Sequence, residues 1–152
     1  MQSKTSNVHA LSIVSQMAQD EQIGKPNPVP YKDLPAFIFG GEVPALILKY
    51  VEKWTFDASD LEVVQQKVKE LQWTCTLLYL SGTKGKKQGD PFWADFITMH
   101  CVTSAVFVPA MVAALSPRSR YLLMSRYFGA LLLWWSTRGC PILDIKASIL
   151  LS

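Results

Sequence analysis

Apolar residues recur every three or four positions along most of this chain, the period of a helix with one buried face. Val8, Leu11, Val14 and Ala18 form one such stripe, with His9, Ile13 and Met17 beside it, so a first helix is predicted from Val8 to about Asp20. Asn7 or Ser6 is placed to cap it, and Gly24 to end it. The stretch 24–44 holds five of the nine prolines and reads as an extended or turning connector. Its Tyr31, Phe37, Ile38 and Phe39 suggest that it packs against a body. A short helix is expected over Ala45–Trp54. Ser59 and Glu62 have the spacing of a capping box, and Leu61, Val64, Val68, Leu71, Cys75 and Leu78 continue at intervals of three and four to Ser81-Gly82. Asp90-Pro91 opens a helix predicted to reach Leu115, with a kink at Pro109. Ser116-Pro117 opens the last long helix, stopped by Arg138-Gly139-Cys140-Pro141. Residues 142–152 add another turn or two. With no internal repeat and no sustained two-residue alternation, the fold class is all-α. It is a compact bundle of about five helices with a Pro-rich connector, in one domain over 1–152.

Composition changes this picture little. At 152 residues, 49% hydrophobic and 18% charged, the chain is too apolar to be disordered. Charge is uneven, and that matters more than the total of +3. Residues 1–95 carry ten Lys against eleven acids, while residues 96–152 carry four Arg, Lys146 and Asp144. These cations are scattered, so nucleic acid is not an expected partner. Cys75, Cys101 and Cys140 are three in number and contain no CxxC pair, which argues against a disulfide framework or a zinc ribbon. Reduced thiols and a start without a basic flank and apolar core make the cytoplasm the expected location.

Two apolar runs raise a membrane hairpin as an alternative. Phe96–Leu115 is long enough to span, and Tyr121–Trp135 ends in an aromatic pair. Thr98, His100, Thr103, Ser104 and Pro109 interrupt the first run, and Arg126 interrupts a second run of only 15 residues, so two core helices are the favoured reading.

The candidate chemistry centres on two histidines. On a helix, His100 shares a face with Phe96, Thr103, Ser104 and Phe107, a narrow polar stripe in an apolar helix. Such a group needs a carbonyl, a ligand or a metal as partner. Asp95 lies about 140° round the helix from His100 and is no local carboxylate partner. A mononuclear iron site needs at least three protein ligands, of which His9 and His100 could supply two. Lys84, Lys86 and Lys87 among glycines fail the phosphate-loop pattern. Arg126 either snorkels or meets a buried acid or an anionic ligand. Phe128 and Trp134-Trp135 either line an aromatic pocket or pack the core. Cys101, adjacent to His100, points about 100° away and forms no dyad with it.

The run Asp95-Phe-Ile-Thr-Met-His-Cys-Val-Thr-Ser104 resembles the Asp-Phe-x-x-Met-His-x-Val-Thr-Ser signature of questin oxidase-like proteins. Val106-Phe-Val-Pro109 and Arg138-Gly-Cys-Pro-Ile-Leu143 are similar to the same family, and Asn7-Val-His-Ala-Leu11 to its earlier His-containing helix. The resemblance implies an oxygenase of fungal secondary metabolism that acts on an anthraquinone-type aromatic polyketide, with a ring-opening reaction of Baeyer–Villiger or dioxygenase type. His100 and His9 would hold a non-haem iron, and Thr103 and Ser104 would support the ligands or touch substrate, as catalytic residues beside His100. NADPH is the family's other associated cosubstrate, although no Gly-x-Gly-x-x-Gly is present. The resemblance covers only the C-terminal part of longer members, which implies a truncated or inactive form, or one half of a split enzyme. A non-catalytic helical interaction module is the alternative. A partial core should leave apolar surface for a homodimer or a complementary chain.

Overall fold

The computed structural model describes residues 8–23, 28–81 and 95–141. Within them the protein is all helical, with no strand. Seven α-helices follow in order: α1 (Ala10–Ala18), α2 (Leu34–Phe39), α3 (Glu42–Val51), α4 (Leu61–Leu80), α5 (Phe96–Ala105), α6 (Val108–Ala113) and α7 (Pro117–Ser136). One 3-10 turn, Tyr31–Asp33, precedes α2. The lysine-rich stretch, Asp90-Pro91 and residues 142–152 lie outside the described residues.

The count exceeds five for two local reasons. The connector holds α2, because Pro35 sits in its first turn, where the absent N–H would have no partner anyway. The helix expected up to Leu115 breaks at Val106-Phe107 into α5 and α6. Pro109 thereby falls in the first turn of α6, and no interior hydrogen bond is sacrificed to it.

Three caps also differ from expectation. α1 begins at Ala10 with His9 as its cap, the imidazole Nδ1 accepting the Leu11 N–H at 3.2 Å. The capping box at Ser59 is displaced by one residue. Asp60 Oδ1 accepts from Glu62 N and Val63 N at 2.9 and 3.3 Å, and the Ser59 hydroxyl instead donates to Asp57 at 2.6 Å. A carboxylate suits the positive end of the α4 dipole better than a hydroxyl does. Asp95 caps α5 in the same way, accepting from Ile97 N and Thr98 N at 3.4 Å each.

The two long helices, α4 and α7, organise the core. Leu71, Cys75 and Leu78 from α4 and Phe128, Leu131, Leu132 and Trp135 from α7 are fully buried with Ile13 and Met17 of α1. Trp54, just past α3, packs tilted against Phe128 at 4.8 Å and edge-on to Phe56 at 5.3 Å, tying the α3–α4 loop to α7. α5 lies across α4 and α7, held by Gln72 Nε2 donating to the Ala105 carbonyl at 3.1 Å.

The apolar run Phe96–Ala113 is long and apolar enough to cross a membrane, and 22% of it is buried. Among the described residues the second arm of the hairpin, within α7, does not qualify, because Arg118, Arg120 and Arg126 dilute it. The bent pair Tyr31–Phe39 and Glu42–Val51 qualifies only if it is taken as one broken span.

That pair bends by 64° at Gly40-Gly41. Gly41 has φ of 105°, and a Cβ on Gly40 would overlap the Ala36 carbonyl oxygen. Gly40→Ala should therefore open the bend and cost about 1–3 kcal/mol in a denaturant titration. A change below about 0.5 kcal/mol would show that the corner relaxes freely.

Candidate functional site

α5 and α7 diverge enough to leave a groove of about 270 Å³ between them. Ile97, His100, Cys101 and Ser104 line it from α5, and Tyr127, Ala130, Leu131 and Trp134 from α7. Both sets follow from helical spacing, since offsets of three, four and seven return to one face.

The polar atoms of the groove are few and linked. Tyr127 Oη donates to the Cys101 carbonyl at 2.6 Å and stands 2.6 Å from Ser104 Oγ. Ser104 Oγ also reaches the His100 carbonyl at 2.6 Å. These bonds place the Tyr127 ring on α5 and commit the Ser104 proton, leaving its oxygen able to accept from a ligand hydroxyl. His100 itself is exposed at the groove wall, its ring edge-on to Phe96 at 4.4 Å.

The buried setting expected for His100 is thus not the one observed. The interior polar residue of α5 is Thr98, 4% exposed, whose hydroxyl donates to Asp95 Oδ2 at 3.0 Å. The face with Phe96, His100, Thr103 and Phe107 points outward, because α5 turns Thr98 and Ala105 toward α4 and α7. Thr103 spends its hydroxyl on its own helix, at 3.2 Å from the Met99 carbonyl, and does not line the groove. His100 and Ser104 are therefore brought together, and Thr103 is not.

His9 stands elsewhere, among α1 and α4. Its Nδ1 is used in the α1 cap, and its Nε2 lies 3.9 Å from Glu70 Oε2. Glu70 is the hub of that region. Its Oε1 accepts from Ala10 N at 2.6 Å and from Trp54 Nε1 at 2.8 Å, and its Oε2 pairs with Lys67 Nζ at 2.9 Å. Lys67 is 3% exposed and lies over the Trp54 ring. Neither Lys67 nor Glu70 was singled out by pattern. The available signal was a lysine at 67 on the apolar stripe of Val64, Val68 and Leu71, with an acid one turn on.

Among the described residues no group of three or more His, Cys, Asp or Glu is gathered as a metal needs. The donors do not fit a non-haem iron here, since His9 is tied into a helix cap and His100 has Phe96 as its neighbour. Burial, then the Asp95 carboxylate, pushes Cys101 up to about 11. Burial, then Cys101, pushes Cys75 up to about 12. Both are neutral thiols at physiological pH. Burial, with Cys75 and Cys101 nearby, raises the Tyr127 phenol as well. A dinucleotide site of the strand–turn–helix kind needs a strand, and none occurs among the described residues.

Beyond the groove, Arg138 rather than Arg126 meets the buried acid. Its Nε lies 2.9 Å from Asp95 Oδ2, with the two side chains 16% and 9% exposed. Burial pushes the Asp95 carboxyl up. The bonds from Arg138 and Thr98 together outweigh that and hold it below the usual carboxylate range. The clamp ties the end of α7 to the start of α5 and so sets both walls of the groove. Of the aromatic residues weighed for a pocket, Trp134 lines the groove, while Phe128 and Trp135 are core.

The family model described as questin oxidase-like matches residues 1–149. No curated protein and no solved structure gave a significant match.

Proposed function

This chain belongs to the questin oxidase-like family, and on that premise we propose that it is an oxidoreductase whose α5–α7 groove receives a hydroxylated aromatic polyketide of the anthraquinone type. The observation that carries this reading is the meeting of His100 with the Ser104–Tyr127 hydroxyl pair in a groove otherwise lined by apolar and aromatic side chains. Trp134 and Tyr127 offer ring faces to a planar ligand. At about 270 Å³ the groove falls just short of the ~300–1,000 Å³ usual for small-molecule sites, so it holds part of a fused ring system and leaves the rest at the open mouth.

His100 is the proposed general base. An exposed imidazole at the groove wall is placed to take the phenolic proton of a bound substrate. Ser104 orients a substrate oxygen.

Titration with a dihydroxyanthraquinone, followed by tryptophan fluorescence and by its visible absorption, tests the reading. Saturable quenching and a red-shifted phenolate band are expected. Trp134→Ala should weaken binding about five- to tenfold, the worth of one aromatic pair. His100→Ala should bind but lose the red shift near neutral pH. A wild-type chain with no saturable binding, or a His100→Ala chain that keeps the phenolate band, would remove the proposal.

One observation favours a second reading, a helical module that docks another chain. Phe96, Val106 and Phe107 are 68%, 67% and 66% exposed on the single segment α5–α6, where apolar surface of this kind marks association. A second copy of this chain is the simplest occupant, and concentration-dependent light scattering, abolished by Phe107→Ser, checks it.

A further inference from the structure

A second hollow, of about 190 Å³, lies between α3 and α7 on the other side of Ala130. Ile47 and Leu48 of α3 and Gly129 and Leu133 of α7 form its apolar walls. The helices come close at one end, where a Cβ on Gly129 would sit 3.3 Å from Val51 Cγ2. Two polar residues interrupt this lining, and neither is accounted for by the fold. Ser125 is 8% exposed and its hydroxyl has no hydrogen-bond partner among the described residues, although nearly all buried hydroxyls in native proteins are satisfied. Arg126 is exposed at the rim, and no acid pairs with it among the described residues. The three other arginines differ in setting: Arg138 pairs with Asp95, Arg120 donates to the Val112 carbonyl at 2.8 Å, and Arg118 borders neither groove.

A guanidinium with no acid partner among the described residues stands at the rim of an apolar hollow. The apolar walls take a hydrocarbon body and the guanidinium takes an anionic head. We propose that this groove is a binding site for a small apolar carboxylate, either a chain of about eight carbons or a single aryl ring. Arg126 holds the carboxylate by a charge-assisted bond, while the Ser125 hydroxyl, which has no accessible surface, stays behind the wall. Size sets the limit, since the hollow is well below the ~300 Å³ at which drug-sized ligands begin to fit. The site is independent of the α5–α7 groove. Arg126 and Ser125 border only this hollow.

Calorimetric titration of the full chain with octanoate, octanol and octylammonium tests it. Octanoate should bind roughly ten- to a hundredfold more tightly than octanol, with octylammonium weaker still. Arg126→Gln, a change at an exposed position, should erase the preference for octanoate over octanol while leaving the melting temperature unmoved. Ser125→Ala should leave octanoate affinity within about twofold and the ligand-free protein at least as stable, because it deletes an unsatisfied buried group that the ligand does not reach. No octanoate binding, equal affinity for octanoate and octanol, or an unchanged ratio in Arg126→Gln would each overturn the proposal.

Discussion

Glu70→Ala should destabilise the protein by about 3–5 kcal/mol, the usual cost of leaving one member of a buried ion pair behind. Lys67, 3% exposed, would be stranded without its counter-charge. The Ala10 N–H at the start of α1 and the Trp54 indole N–H would each lose their acceptor. One carboxylate therefore joins α1, the α3–α4 loop and α4, and its loss should be felt in all three. Urea titrations of the single variant and of Glu70→Leu combined with Lys67→Met measure the effect. The double change replaces the pair with apolar side chains of similar size and should return to within about 2 kcal/mol of the parent. A single variant that costs less than about 1 kcal/mol would show that water reaches Lys67 and that the hub is not structural.

Asp95→Asn should cost about 3 kcal/mol at pH 7, because it removes the charged partner of Arg138 while leaving a side chain that still caps α5. The pH dependence has a definite sign. Asp95 is held below its ordinary carboxylate range in the folded protein, so the unfolded chain takes up the proton first as pH falls. Its stabilisation is complete above the unfolded value of about 4 and fades as pH drops through the lower folded value. The gap between wild type and Asp95→Asn should be constant from pH 7 to about 5 and narrow in acid below about 4. A gap that stays the same into strong acid would mean that the carboxylate charge contributes nothing. Because this clamp sets the spacing of α5 and α7, Asp95→Asn should also loosen dihydroxyanthraquinone in the groove while leaving octanoate between α3 and α7 untouched.

Much of the helical framework was legible in the chain. The stripe from Val64 to Leu78 and the Ser116-Pro117 opener mark α4 and α7 closely, because an apolar period of 3.6 and a proline in a first turn both act within one element. Caps were less legible. Asp60 displaced Ser59, and His9 displaced Asn7 and Ser6, because competing polar residues lie one or two positions apart and the winner depends on where the neighbouring turn sets the first helical N–H. The signature around His100 drew attention to the right helix. Its partners Tyr127 and Trp134 lie 27 and 34 positions further on, and no local pattern connects them.

The long helices α4 and α7, the all-helical class and the family follow from the chain alone, since each depends on spacing within a few turns or on a run of matched residues. Which side of α5 faces the interior did not. Thr98 is enclosed and His100 exposed because α4 and α7 press on one side only, and that choice belongs to the packing of three helices at once. The same holds for the ion pairs. Arg126 and Arg138 look alike in sequence, and only the fold brings an acid to one of them and an apolar hollow to the other. Electrostatic partners are chosen over a few ångströms of space, and the sequence records separations only along the chain.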